Sequence, residues 1–194
     1  MFNILLDELP EKWNGYEVYT DLSTGIQLSQ CLIDNDLSDR EKLYLTIHLL
    51  FVNDFPRDCG QIFEAVTWLL NGWNNDCMPT QKDNKVDVMD FDMDSWRIYA
   101  AFRGQYGINL SQENLHFWEF MGLLSNLDEC AFVKVVEIRQ KEITANMSKK
   151  EKDEILKAKA MYLINKEKNA KDTGADQEAR DYAIKEFNRL RRKT

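Results

Sequence analysis

Proline and glycine are scarce in this chain, three and eight among 194 residues. A many-turned β-sandwich or barrel would need more of both, so their scarcity argues against that class. Apolar runs are short, and none approaches the ~18–20 residues that span a bilayer. The opening MFNILLDELPEKW places acids directly after a five-residue apolar patch and has no basic n-region, so it does not read as a secretory signal. The expectation is a soluble chain that stays in the compartment where it is made. No CxxC pair occurs. Cys31, Cys59, Cys77 and Cys130 lie 28, 18 and 53 positions apart, and neither histidine is near enough to complete a zinc-type cluster. They read as reduced thiols that mostly behave as small hydrophobes, and no metal is expected.

Catalytic and phosphate-binding signatures are missing as well. There is no GxSxG, no Cys–His signature, no HExxH, no GxGxxG and no GxxxxGK[ST]. The acidic run DVMDFDMD, residues 87–94, begins like a calcium loop. An EF-hand starting at Asp90 needs glycine and glutamate where Ser95 and Ala101 stand. Asp92 and Asp94 therefore read as capping and first-turn acids of a following helix. No cofactor is expected.

What is present is helical periodicity. After an irregular or weakly extended stretch to residue 20, interrupted at Pro10 and Gly15, apolar positions recur at helical spacing. Leu22, Ile26 and Ile33 mark a first helix, and Leu43, Ile47 and Leu50 mark a second that opens at Ser38 in a capping box with Glu41. Ile62, Val66, Leu69 and Trp73 mark a third. Residues 74–87 are polar and aperiodic, a linker or long loop. Asp94 and Gly107 bracket a fourth helix, Ser111 and Asp128 open a fifth and a sixth, and the box Ser148-Lys-Lys-Glu151 opens a charged helix to about Lys171. A last helix, after Asp172-Thr-Gly174, carries Ala179, Ala183, Phe187 and Leu190 on one stripe. No segment alternates like a strand. The fold class is all-α: a compact multi-helix bundle with two longer charged C-terminal helices. It divides into an N-terminal helical subdomain (1–73), the linker (74–87), central helices (88–147) and a charged extension (148–194).

Charge is unevenly spread. Residues 1–148 hold 11 Lys+Arg against 24 Asp+Glu, a net of −13; residues 149–194 hold 14 against 9, a net of +5. An acidic body repels a phosphate backbone, so nucleic acid is not an expected partner. The basic end is read as lysines and arginines meeting helix C-termini. The five tryptophans lie in the acidic part, which favours core packing over base stacking.

One histidine invites a catalytic reading. In ENLHFWEFMGLL, residues 113–124, a continuous helix would set Glu113 and Glu119 each three positions from His116, within reach of its ring, raising its affinity for a proton. Catalysis also needs a nucleophile or a second acid in defined geometry, and none is legible. A structural His116 is the preferred reading, with no catalytic residue and no enzyme expected.

Residues 88–139 resemble the phage gene product fifteen family, found in the tail modules of long-tailed phages and prophages of Gram-positive bacteria. The match runs through Trp96-Arg97-Ile98-Tyr99-Ala100-Ala101-Phe102, Tyr106-Gly107-Ile108-Asn109-Leu110 and Leu115-His116-Phe117-Trp118-Glu119-Phe120, then Leu123-Leu124, Leu127, Phe132 and Ile138-Arg139. FEAVTWLLNGW (63–73) and SKKEK (148–152) fit too, whereas the first sixty residues match poorly. The resemblance implies a tail assembly chaperone, acting in the host cytoplasm and absent from the mature virion, whose partners are the tape measure protein and other tail assembly proteins. It makes Tyr99, Phe102, His116, Trp118, Phe120 and Arg139 a structural core motif. The charged terminal helices are the expected partner-binding element, with Leu156, Tyr162, Leu163, Phe187 and Leu190 as exposed anchors; self-association is left open. Two rivals stand beside it: a structural tail component, and a nucleic-acid-binding regulator acting through the basic tail.

Overall fold

The computed structural model describes residues 2–73, 88–144 and 146–164. The expected linker 74–87, the thiol Cys77, and the last expected helix with Phe187 and Leu190 lie outside the described residues. Two short strands come first, β1 (Lys12–Trp13) and β2 (Tyr16–Glu17), paired antiparallel. Asn14 and Gly15 between them both have positive φ, 45° and 89°. Asn-Gly is the pair that a tight hairpin turn prefers, because both positions must be left-handed. Beyond this ribbon, the described residues are built from seven helices, and the class is all-α.

Local signals fix most helix starts. Asp21 caps α1 (Leu22–Ile33) by accepting the Thr24 N–H. Ser38 and Glu41 close a reciprocal capping box on α2 (Asp39–Leu50), and α3 spans Cys59–Asn71. Helix α4 (Ser95–Gln105) ends at Tyr106, with Gly107 beyond it at φ 74°, as its position suggested. Ser148 and Glu151 form a second box on α7 (Lys149–Met161).

Three boundaries differ from expectation. Ser111 does not open a helix. Asn109 to Glu113 make one isolated turn, and residues 114–116 then run outside any helix, because Leu115 and Phe117 are hydrogen-bonded to the chain at the start of α1: Leu22 N–H to the Leu115 carbonyl at 2.8 Å, Phe117 N–H to the Thr20 carbonyl at 2.7 Å. Helix α5 is therefore only Phe117–Ser125. Asp128 does not open α6 (Ala131–Gln140) either. The Gln105 side-chain amide holds the Asp128 backbone from both sides, accepting its N–H at 2.9 Å and donating to its carbonyl at 3.3 Å, so residue 128 stays outside the helix. The charged helix expected to reach Lys171 stops at Met161.

One core gathers residues from both sides of 74–87. Leu28, Leu50, Leu69, Phe102, Phe117 and Phe120 are fully or almost fully buried in it. Phe102 stacks on Phe120 with ring centroids 5.1 Å apart. The buried face of α1 is Thr24, Gly25, Leu28 and Cys31 rather than the expected Leu22–Ile26–Ile33 stripe, and Ile33 is exposed. Gly25 explains the rotation. A Cβ there would lie 2.0 Å from the Phe117 ring, so α1 turns its least bulky side to α5 and lets that ring in. Among the described residues, no helix is long and apolar enough to cross a membrane.

Candidate functional site

His116 sits at the N-cap of α5. Its Nδ1 accepts the Trp118 N–H at 3.0 Å, and its Nε2 lies 3.1 Å from the Pro10 carbonyl. A nitrogen that accepts a backbone N–H carries no proton, so the ring is neutral and its proton is on Nε2, donated to Pro10. Burial pushes its pKa below the ordinary 6.5. The Pro10 carbonyl bond and the charges of Glu119, Glu11 and Asp21 oppose that push without overcoming it. The expected rise in proton affinity is thus reversed. The two-sided carboxylate arrangement also fails, since Glu113 instead accepts the Asn109 N–H at 2.9 Å. Both ring nitrogens are engaged in holding the fold.

The aromatic residues around it behave as packing. Trp118 donates from Nε1 to the Leu69 carbonyl at 2.8 Å, and its ring meets Phe2, Trp68 and His116 edge-on. Trp13 is buried too. Trp96 departs from the expected core packing: it is 80% exposed, held edge-on by the half-buried Tyr99 at 5.8 Å.

The acidic turn before α4 holds the least anticipated arrangement. Asp94 occupies the N-cap position yet makes no side-chain cap bond. Its carboxylate is wholly buried and points inward, where Arg139 donates to both oxygens, at 2.6 and 3.2 Å. Arg97 adds a third bond at 3.0 Å. Capping of the turn falls instead to Asp90, which accepts the N–H groups of Asp92 and Met93. Arg139, itself 4% exposed, spends its remaining donors on the Val88 and Tyr162 carbonyls. One guanidinium thereby binds residue 88, the turn before α4 and the residue following α7. The resemblance implied half of this, with Arg139 in the core motif. Nothing in the spacing marked Asp94, 45 positions away, as its partner.

The expected anchors fall into two groups. Leu156 and Leu163 are exposed, as is Met161 between them. Tyr162 is half-buried, and the Arg97 guanidinium lies over its ring at 5.7 Å. Ile155, on the other side of α7, is buried and helps line a cavity of about 280 Å³ with Ile138, Met147 and Ala158, rimmed by Lys141, Glu151 and Glu154. Of the thiols, Cys31 is buried with its pKa raised by desolvation, Cys130 is half-buried, and Cys59 is exposed. Among the described residues, no three His, Cys, Asp or Glu side chains are placed to share a metal ion.

Residues 5–164 match the family model described as Bacteriophage Gp15 protein. The match takes in residues 5–60, where the resemblance in the sequence is weak. No curated protein and no solved structure matches the chain.

Proposed function

The chain belongs to the Bacteriophage Gp15 protein family, and from that premise we propose that it is a non-catalytic tail assembly chaperone. It binds the tape measure protein in the host cytoplasm, shields its apolar surface while the tail is built, and leaves before the virion is complete. Membership supports a role in building the phage particle. The observation that carries the finer reading is apolar side chains held in solvent on a charged helix, Leu156 and Met161 on α7, with Leu163 just beyond it. A helix that buries only Ile155 leaves Leu156 and Met161 in solvent, where another chain can meet them. Release requires many weak contacts rather than one tight anchor, and isolated leucines and a methionine fit that need. The non-catalytic reading is supported by His116, whose nitrogens are both committed to backbone groups.

Co-expression of the tape measure protein with the full chain tests the proposal. The tape measure should be soluble with the native chain and should aggregate with a Leu156→Ser/Leu163→Ser variant that melts at the native temperature. Truncation after residue 147 is a poorer test, because it also removes Ile155 and Tyr162 from their places against α6 and Arg139. Equal solubilisation by chain and variant would defeat the assignment of these leucines. Stoichiometric presence of the chain in purified virions would favour a structural tail component instead.

A further inference from the structure

Helix α7 is attached to the body more sparingly than any other described helix. Helices α1 to α6 each bury two or more residues, whereas α7 buries Ile155 alone. The face it turns to the body carries Lys152, Ile155, Ala158, Lys159 and Tyr162, each buried or half-buried. Two of these five are lysines, whose ammonium groups resist leaving water. Between α6 and α7 lies the cavity of about 280 Å³, walled by Ile138, Met147, Ile155 and Ala158 and open at its charged rim. Side chains that interdigitate leave few voids larger than a water molecule, so these two helices lie loosely against each other.

The two ends of α7 set how it can move. Among the described residues of its connection to α6, 141–148, all but Met147 are exposed. One backbone hydrogen bond, from the Met147 N–H to the Thr144 carbonyl at 3.3 Å, closes a turn there. At the far end Tyr162 acts as a latch: Arg139 Nε donates to its carbonyl at 2.8 Å, and the Arg97 guanidinium lies over its ring. Releasing this latch disturbs little else. Arg139 keeps both Asp94 oxygens and the Val88 carbonyl, and only its Nε–H turns to water. Arg97 keeps its bonds to Asp94 and Met93. The buried charges thus stay paired whether α7 is seated or lifted. We propose that α7 is a strap: it lifts off α6 as a unit, pivoting on its connection to that helix with Tyr162 as the latch, while the body built by α1–α6 stays folded. Opening uncovers Ile138 and Ile155 and carries Leu156 and Met161 away from the body. The strap is a property of the chain by itself and does not depend on the chaperone reading.

Amide hydrogen exchange of the full chain, resolved by residue, tests the strap. A 13-residue helix away from its support is marginal in water, so lifting opens its amides to exchange. In the native chain the amides of residues 155–161 should exchange roughly tenfold or more faster than those of residues 120–124 in α5. Tyr162→Ala removes the ring beneath Arg97 and should speed the α7 amides roughly threefold, leaving those of α5 unchanged. Ala158→Met puts a flexible side chain into the cavity and should slow the α7 amides by roughly the same factor. Both effects should run evenly through the middle and last turns of α7, because the strap moves as one. An effect of Tyr162→Ala confined to the last turn would mean that the helix end frays, and would overturn the proposal. So would a common exchange rate for α7 and α5, or an equal response of both to Tyr162→Ala, since α7 would then open only with the whole body. Failure of Ala158→Met to slow exchange would show that the seam has no room to fill, and the loose seat on which the strap depends would be gone.

Discussion

Asp21 and His116 pair across a single antiparallel bridge, and each caps the helix that begins at the next residue. Two helix N-termini from distant parts of the chain thus start side by side. Flanking backbone bonds at 2.7 and 2.8 Å hold them in register. Hydrogen bonds from Ser23 and Thr24 outweigh the effect of burial on Asp21 and keep its carboxyl below the usual range, so it stays ionised as a cap. His116 works as a cap only while neutral. The same junction therefore joins a cap that requires charge to one that forbids it.

From that difference comes a pH prediction. His116→Ala should lower stability by roughly 1–2 kcal/mol in urea denaturation followed by circular dichroism, since it removes a capping acceptor and the Pro10 tether. His116→Asn keeps an acceptor and should fall between. The folded histidine binds protons less readily than the unfolded one. Its contribution is accordingly full above about pH 6.5 and is lost as pH falls through the lower folded value. The stability gap between the native chain and His116→Asn should shrink on going from about pH 7.5 to about pH 5. A gap that stays constant over that range would show that the ring's protonation state is irrelevant to the cap.

Asp94 and Arg139 should be strongly coupled. Asp94→Asn leaves the buried Arg139 guanidinium without its carboxylate, and Arg139→Met leaves the buried Asp94 carboxylate with only the partly exposed Arg97; the first should cost about 3–5 kcal/mol in chemical denaturation and the second somewhat less. Asp94→Leu combined with Arg139→Met removes both charges and should recover much of that loss, far from the sum of the single effects. Additive losses in the double-mutant cycle would contradict the pairing.

Two glycines on helices make an opposed pair. Gly25→Ala gains helix propensity of up to ~1 kcal/mol but drives a methyl group into the Phe117 ring, and the clash should win, giving a net loss of about 1–3 kcal/mol. Gly104→Ala meets open space and should stabilise α4 by up to ~1 kcal/mol. Thermal melts of the two variants should move in opposite directions; a shared sign would mean that Phe117 swings aside without strain.

Gly72→Ala tests the neighbouring wall of the same core. A Cβ there would lie 2.2 Å from the Trp118 ring, which Leu69 holds by its Nε1 bond. A loss of about 1–3 kcal/mol is expected, with a shift in tryptophan emission as the ring is displaced. An unchanged spectrum and melting temperature would place Trp118 elsewhere in solution.

The sequence made legible whatever depends on near neighbours. Ser38 with Glu41 and Ser148 with Glu151 are three positions apart, and both boxes form. Gly107 ends α4 because left-handed backbone is a property of the single position. The hairpin is equally local: Asn14-Gly15 is its signal, a turn pair rather than the plain interruption that Gly15 alone suggests. What sequence did not disclose was set at long range. Ser111 lost its helix to a bridge with residues 20–22, and Asp128 lost its own to Gln105. Asp94 had the spacing of a cap, and only Arg139 turned its carboxylate inward. The site follows the same division: His116 stands next to the helix it caps, whereas its orientation by Pro10, 106 positions away, has no local trace.

The reach of Arg139 sets a timetable for synthesis. Its bond to Tyr162 spans 23 positions, so the guanidinium lacks its full set of acceptors until the ribosome has released nearly all of the body. By then Val88 and Asp94 have long emerged, so the guanidinium can take its carboxylate while its Nε–H is still turned to water. The Nε bond to the Tyr162 carbonyl is the one of the four that must wait for α7, and it ties the residue after that helix to a cation that the turn before α4 can already hold.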